Sequence, residues 1–286
     1  MPPKINKTVL MSGAEYFSDA LAINALMDSS IAVNLSLAIQ EHQDIKSTLE
    51  STGVKVISKA APVGCQDGVY VANWGLCRKG RCVLSSLPNK RQGEEPRAEA
   101  VLKELGLQTI RAPFAFSGQG DALPCGNLLF CGSNYRTDAR MHDFLAKELG
   151  FEVISLQAIP KTDESGKAVS NPLTGWPDSY FYDLDLAVAV ITPNLIAWCP
   201  EALVPSSQVK FNALPIDKIR VPFEEALKGF ACNLVSTGDT VIMSAHAPTF
   251  QAELEKRGFK TITPSGQELS KGGGYIRCIT LTLDND

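Results

Sequence analysis

The 286-residue chain is expected to fold as one closed α/β domain made of about five strand–strand–helix–strand units. Three observations predict this. Short β-runs and amphipathic helices alternate along the chain, with glycine closing helix after helix. No linker rich in Pro, Ser or Gly separates two halves. The composition, 44% apolar and 20% charged, is that of a soluble globular protein, and a chain this long buries enough surface to need no staples.

The elements follow in order. Leu35, Ala38, Ile39, Ile45 and Leu49 recur at near-helical spacing, with Gly53 as C-cap and VKVIS after it as a strand. GVYVANW and RCVLSSL read as β-runs split by the turn CRKG. A helix is expected near 94–105, with Ala98, Val101, Leu102 and Leu105 on one face and Gly106 as its stop. NLLFCG is a strand. Thr137 or Asp138 caps a helix presenting Met141, Phe144, Leu145 and Leu149, Gly150 ends it, and FEVISL follows. YFYDLDLAVAVI and LIAWC pair as strands, and a helix starts at Pro222. CNLVS and TVIMSA are strands, a helix runs from Pro248 to Gly258, and FKTITP and YIRCITLTL are the last strands. The polar loop 161–179 is either a lid or a plain surface excursion.

Bulk properties exclude some functions. A net charge of −4 argues against nucleic acid as partner, since phosphate backbones attract clustered Lys and Arg; a small anion needs only one or two arginines. No segment has the length of a membrane span, and the N-terminus lacks the apolar core of a secretory signal, so the cytoplasm is the expected compartment and no membrane the expected partner. The eight cysteines (65, 77, 82, 125, 131, 199, 232 and 278) form no CxxC pair and no zinc spacing. Seven of them read as buried reduced thiols. GQGDAL and KGGGYIRC lack dinucleotide or P-loop spacing, so no cofactor is expected.

Six segments carry a resemblance. ELSKGGGYIRCITLTL, with a glycine run ahead of a Cys and a short β-run, resembles the nucleophile segment of the guanidine-modifying (amidinotransferase) superfamily, which includes arginine deiminases and dimethylargininases. GVYVANWGL resembles its first substrate-binding strand, and LPNKRQGEEPRAEAVLKELG the turn into the next helix. FSGQGDAL stands at its acidic loop, GSNYRTD at its Arg-Thr motif and YFYDLDLAVAV at its His-x-Asp strand. The resemblance covers nearly the whole chain. It implies a five-bladed, pseudo-fivefold ββαβ propeller of the pentein type, in agreement with the repeats counted above.

The chemistry of a guanidine hydrolase can be set against these residues. A planar cationic carbon calls for a soft nucleophile, carboxylates to match the guanidinium fork, and an imidazole for proton work. The resemblance makes Cys278 the nucleophile; without it, a buried structural thiol is the better reading. Arg277 favours thiolate, but on a strand it would point to the opposite face from Cys278. Asp185 stands at the guanidinium-binding Asp, and an Asp in so apolar a run needs a partner or a cleft. Asp121 either binds substrate or caps a turn. Arg136 stands at the arginine that grips a substrate carboxylate. Arg91, with Lys90 as competitor, is either its partner or a surface cation. Asn73 stands where many members have a second Asp.

The departures weigh most. The His position reads Asp183, and the Glu that would orient that His reads Ser117. The three histidines, His42, His142 and His246, lie outside the motifs. Two carboxylates two residues apart on one strand face would raise the pKa of one, so that Asp183, sharing a proton with Asp185, could serve as the catalytic base in place of the His; as a metal site the pair has too few ligands. Two functions stay open. One is a cysteine hydrolase or amidinotransferase acting on a guanidino- or ureido-type small molecule bearing a carboxylate. The other is a non-catalytic ligand-binding member of the same fold. The oligomeric state is not legible.

Overall fold

The computed structural model describes residues 3–28, 30–172, 175 and 177–285. In chain order the elements are β1 (Thr8–Ser12), α1 (Leu35–Ser51), β2 (Lys55–Lys59), β3 (Gly75–Arg78), β4 (Arg81–Leu84), α2 (Glu95–Glu104), β5 (Gln108–Arg111), β6 (Ala122–Cys125), β7 (Leu128–Cys131), α3 (Met141–Leu149) and β8 (Glu152–Ser155). They continue with β9 (Val188–Thr192), β10 (Leu195–Trp198), α4 (Pro205–Asn212), β11 (Asp217–Arg220), α5 (Phe223–Gly229), β12 (Val235–Ser236), β13 (Thr240–Ile242), α6 (Pro248–Lys256), β14 (Lys260–Ile262), α7 (Gln267–Ser270) and β15 (Leu281–Thr282).

Among the described residues the strands make five three-stranded sheets with one shared plan. The first strand pairs antiparallel with the second, and a helix carries the chain back so that the third lies parallel to the second. The plan holds for β3-β4-β5, β6-β7-β8, β9-β10-β11 and β12-β13-β14. The remaining module takes its first strand from the C-terminus: β15 pairs antiparallel with β1, Val9 opposite Thr282, and β1 pairs parallel with β2.

The helices bury most of the faces their sequences predict, but in α1 Leu35 and Ile39 stay exposed. α1 is capped by Asn34, whose Oδ1 accepts the Leu37 N–H at 3.2 Å, and it buries Ala38, Ile45 and Leu49. It also turns Glu41 inward, where Oε2 accepts the N–H groups of Glu268 and Leu269 at 2.9 and 3.1 Å. That carboxylate fixes α7, the short helix feeding the Cys278 loop. α3 ends at Gly150, in the left-handed conformation at φ 71°.

Several local expectations are corrected. α3 begins at Met141 rather than after a Thr137 or Asp138 cap: the Asp138 carboxylate holds the Arg140 N–H, and Thr137 Oγ1 accepts the Ser117 N–H. Pro222 is the cap ahead of α5, not its first helical residue. GVYVANW is not a strand at all, β3 beginning only after it at Gly75, and YFYDLDLAVAVI, CNLVS and YIRCITLTL are strands only from Val188, Val235 and Leu281 onward. Their first halves are tight turns, closed by bonds such as Leu186 N–H to Asp183 C=O and Ile279 N–H to Tyr275 C=O. Tyr180 apart, they are buried, and an apolar run of that kind carries no period to separate turn from strand. Of the loop 161–179, residues 173, 174 and 176 lie outside the described residues, as do residues 1 and 2 of the N-terminus. No helix among the described residues is long and apolar enough to cross a membrane.

Candidate active site

The five turns that precede the first strand of each sheet meet one another. They are 71–74, 118–120, 184–186, 231–234 and 276–279, and hydrogen bonds, some through flanking residues, link them, with Cys278 Sγ bridging 184–186 and 231–234. The Ala72 N–H donates to the Cys278 carbonyl, and Asn73 Nδ2 donates to the Ser117 carbonyl at 2.9 Å. The Leu184 N–H donates to Asp121 Oδ1, and Asn233 reaches Cys278. Each module thus delivers one short polar stretch to a common centre.

Cys278 sits in a turn, not on a strand, so the expected opposition of Arg277 and Cys278 does not arise. The Asn233 side chain organises this turn. Its Oδ1 accepts the N–H groups of Tyr275, Arg277 and Cys278 at 2.9, 3.1 and 3.2 Å, and its Nδ2 donates to Cys278 Sγ at 3.1 Å. On its other side Sγ donates to Asp185 Oδ2 at 3.3 Å. The glycine run makes room: a Cβ on Gly274 would lie 2.9 Å from Sγ, and Gly273 holds φ 89°. Tyr182 Oη and Asn24 Nδ2 pin the carbonyls of Gly273 and Gly272.

Asp183 and Asp185 diverge. The expected shared proton between them is not formed: no hydrogen bond joins them. Asp183 accepts from Asn73 Nδ2 and from Ser117 Oγ, both at 2.8 Å, and its Oδ2 lies 3.6 Å from Arg136 Nη1. Asp183 does not touch the sulfur; Asp185 does. Asp185 is fully buried, and its Oδ1 has no partner among the described residues. Burial first, and then the neighbouring Asp183, push its carboxyl up to about 8, against the pull of Cys278, Arg277 and Asn233. The expectation that one carboxyl of the pair is raised therefore holds for Asp185. Burial and the same two carboxylates also push the Cys278 thiol well above its ordinary range. At rest near neutral pH both groups hold their protons.

Arg136 is buried, with its guanidinium stacked 4.0 Å above the Tyr182 ring, and it borders a cavity of ≈ 20 Å³ with Tyr182 and Asn24. Arg91 is neither a surface cation nor open to a ligand. It is 3% exposed, its Nε and Nη2 bind both Glu94 oxygens at 2.7 and 2.8 Å, and its Nη1 donates to Asn73 Oδ1 at 2.6 Å. This last bond fixes the Asn73 amide so that Nδ2 faces Asp183 and Ser117. Asp121 is buried, is raised by burial and by Asp183, and accepts the Leu184 N–H, so it braces one turn against the next.

No imidazole bonds to this cluster. His42 lies in α1, held down to about 4 by burial; His142 Nε2 meets the Gly132 carbonyl at 2.9 Å; His246 is exposed at the start of α6. All eight cysteines are free, and Cys65 alone is half-buried rather than buried. Asn233, Tyr182 and Glu94 were not found from sequence. The signal that could have found Asn233 is positional: a polar residue just before the first strand of a module, as with Asn73 and Cys278.

Residues 17–284 match the family model described as N,N dimethylarginine dimethylhydrolase, eukaryotic. The N(G),N(G)-dimethylarginine dimethylaminohydrolase of Mycobacterium tuberculosis is 31% identical over 274 residues, covering 96% of this chain and 84% of the relative. ArgZ, a bifunctional arginine dihydrolase/ornithine cyclodeaminase of Synechocystis, is 29% identical over 282 residues; the match covers 96% of this chain but 37% of ArgZ. A crystal structure of a substituted ArgZ N-terminal domain, covalently bound to a reaction intermediate, superposes with a TM-score of 0.85 at 28% identity, covering 97% of this chain and 98% of that one.

Proposed function

Since the chain belongs to the dimethylarginine dimethylhydrolase family, we propose that it is a cysteine-dependent hydrolase, or amidinotransferase, acting on a guanidino- or ureido-type amino-acid derivative through a covalent adduct on Cys278. The observation that carries this reading is the position of Cys278 Sγ between Asn233 Nδ2 at 3.1 Å and Asp185 Oδ2 at 3.3 Å. Arg136, held by the Tyr182 ring, is the anchor for the substrate carboxylate. The covalent intermediate of the ArgZ domain supports the chemistry.

The steps follow from the resting protons. A guanidinium arriving beside Asp185 and Cys278 favours their anionic forms, and the Asp185 proton leaves to solvent. The carboxylate then takes the thiol proton as sulfur bonds to the guanidinium carbon. The tetrahedral adduct collapses, the carbon–nitrogen bond breaks, and the leaving amine takes that proton. Water adds to the thiouronium carbon and gives one proton to Asp185. The carbon–sulfur bond breaks, the ureido product departs, and the thiolate regains its proton. Asp183, at the position of the family's His, holds Asn73, Ser117 and Arg136 in place and adds negative charge for the cationic substrate. Asn73, whose Nδ2 is taken by Asp183 and Ser117 and whose Oδ1 is taken by Arg91, positions Asp183 and does not itself bond the reacting group.

The test is to incubate the purified chain with L-arginine and with dimethylarginine and measure ureido product and released amine. Product from the wild type, lost in Cys278→Ser, is expected. A second reading is a non-catalytic ligand-binding member, favoured by the protonated sulfur without an imidazole. Saturable binding of either compound by calorimetry without any product would select it. The same proposal takes the five modules as one closed propeller domain, supported by the β15–β1 pairing. It places the chain in the cytoplasm, where eight free thiols stay reduced.

A further inference from the structure

A second cavity, of ≈ 200 Å³, reaches Asp185 and shares no lining residue with the small cavity at Arg136 and Tyr182. Its walls are apolar, from Leu123 and Pro124 of β6, Val188 and Val190 of β9, and Leu234. The polar groups at its mouth are already engaged. Lys4 pairs with Asp239, Lys7 with Asp284, and the Asn6 and Asn285 amides donate to the carbonyls of Ser236 and Cys77.

Arg277 differs from these. It lines the cavity and is only 7% exposed, yet its side chain has no ion pair among the described residues, and its one side-chain hydrogen bond there runs from Nη1 to Thr282 Oγ1 at 3.0 Å. Nε and Nη2 are left without a protein partner. Asp185, on the same cavity, acts on it electrostatically but forms no ion pair or hydrogen bond with it, and so buried a guanidinium gains from an anion that meets its free edge. Apart from that edge and the Asp185 carboxyl the inner walls offer hydrocarbon, which suits a carboxylate with an aliphatic body. A phosphate would leave most of its oxygens without donors.

We propose that this cavity is a second ligand site, taking a small aliphatic carboxylate whose oxygens meet Nε and Nη2 of Arg277 and whose body lies against Leu123, Val188, Val190 and Leu234. Such an occupant places negative charge close to Asp185 and Cys278. It opposes the loss of their protons and acts as an inhibitor that does not compete with substrate at Arg136.

The experiment is calorimetric titration of the full chain with sodium butyrate at fixed ionic strength, using wild type, Arg277→Gln, Leu234→Phe and Arg136→Gln. One saturable site is expected. It is weakened about tenfold or more by Arg277→Gln, weakened as well by Leu234→Phe, which fills the cavity without touching the cation, and unchanged by Arg136→Gln. Absence of saturable binding up to about 50 mM, binding undiminished in both Arg277→Gln and Leu234→Phe, or loss of binding in Arg136→Gln would each overturn the proposal. The readout needs no turnover, so its failure is separate from any failure of the hydrolase reading.

Discussion

Asn233 and Cys278 are joined twice, through the amide nitrogen to the sulfur at 3.1 Å and through the amide oxygen to the backbone N–H at 3.2 Å. The same oxygen takes the N–H groups of Tyr275 and Arg277. Asn233→Ala leaves those buried donors unsatisfied, and a stability loss of about 3 kcal/mol is expected in urea unfolding. Asn233→Asp keeps the acceptor and removes the donor to sulfur. It is expected to lose less stability, while slowing alkylation of Cys278 by about tenfold or more.

Stability is expected to fall as pH rises from 6.5 to 8. Asp185 is raised to about 8 in the fold, so the native state keeps a proton that the unfolded chain has already lost. Its contribution is complete below the unfolded carboxyl pKa and disappears as pH passes through the folded value. Asp67, raised to about 6 by burial, has the same sign but finishes earlier. His42, lowered to about 4, has the opposite sign and acts only below its unfolded value of 6.5. Asp121, raised well above its ordinary range by burial and Asp183, has the same sign, and Asp185 contributes up to about 1.4 kcal/mol per pH unit of the slope in the upper window. Asp185→Asn should flatten that slope in denaturant titrations between pH 6.5 and 8.

The two arginines named from sequence should respond differently. Arg91→Met breaks the buried pair with Glu94 and frees Asn73, and a loss of about 3–5 kcal/mol in unfolding free energy is expected. Arg136→Gln removes the substrate anchor. It should raise KM by about tenfold or more with a far smaller change in kcat.

Restoring an imidazole is a test of the departure at Asp183. Asp183→His alone strips Asn73, Ser117 and Arg136 of their acceptor, and a small gain in turnover, or none, is expected. With Ser117→Glu as well, the new ring gains an orienting carboxylate. The double variant should form ureido product about a hundredfold faster than wild type at pH 7, as measured by kcat.

The modular plan was legible because helices show a 3.6-residue period and glycines end them: the stretches that became α1, α2, α3 and α6 were all expected close to where they stand. The inner turns were not legible. Residues 71–74, 184–186 and 276–279 are enclosed on every side, so apolar residues fill them whatever the backbone does, and they read as strands. That error placed Asp183 and Asp185 on one face, when the turn sends one toward Asn73 and the other toward Cys278. Arg91 was misjudged for a related reason. Nothing local announces that Glu94, three residues on, turns inward with it.

The central claim is a covalent bond between Cys278 and a guanidinium carbon. Acid-quenched mixtures of the chain with L-arginine or dimethylarginine, digested and analysed by mass spectrometry, test it directly. The account predicts an added amidine-derived mass on the peptide carrying Cys278, absent from Cys278→Ser. Product formation with that peptide unmodified at every quench time, or equal turnover by Cys278→Ser, would contradict it.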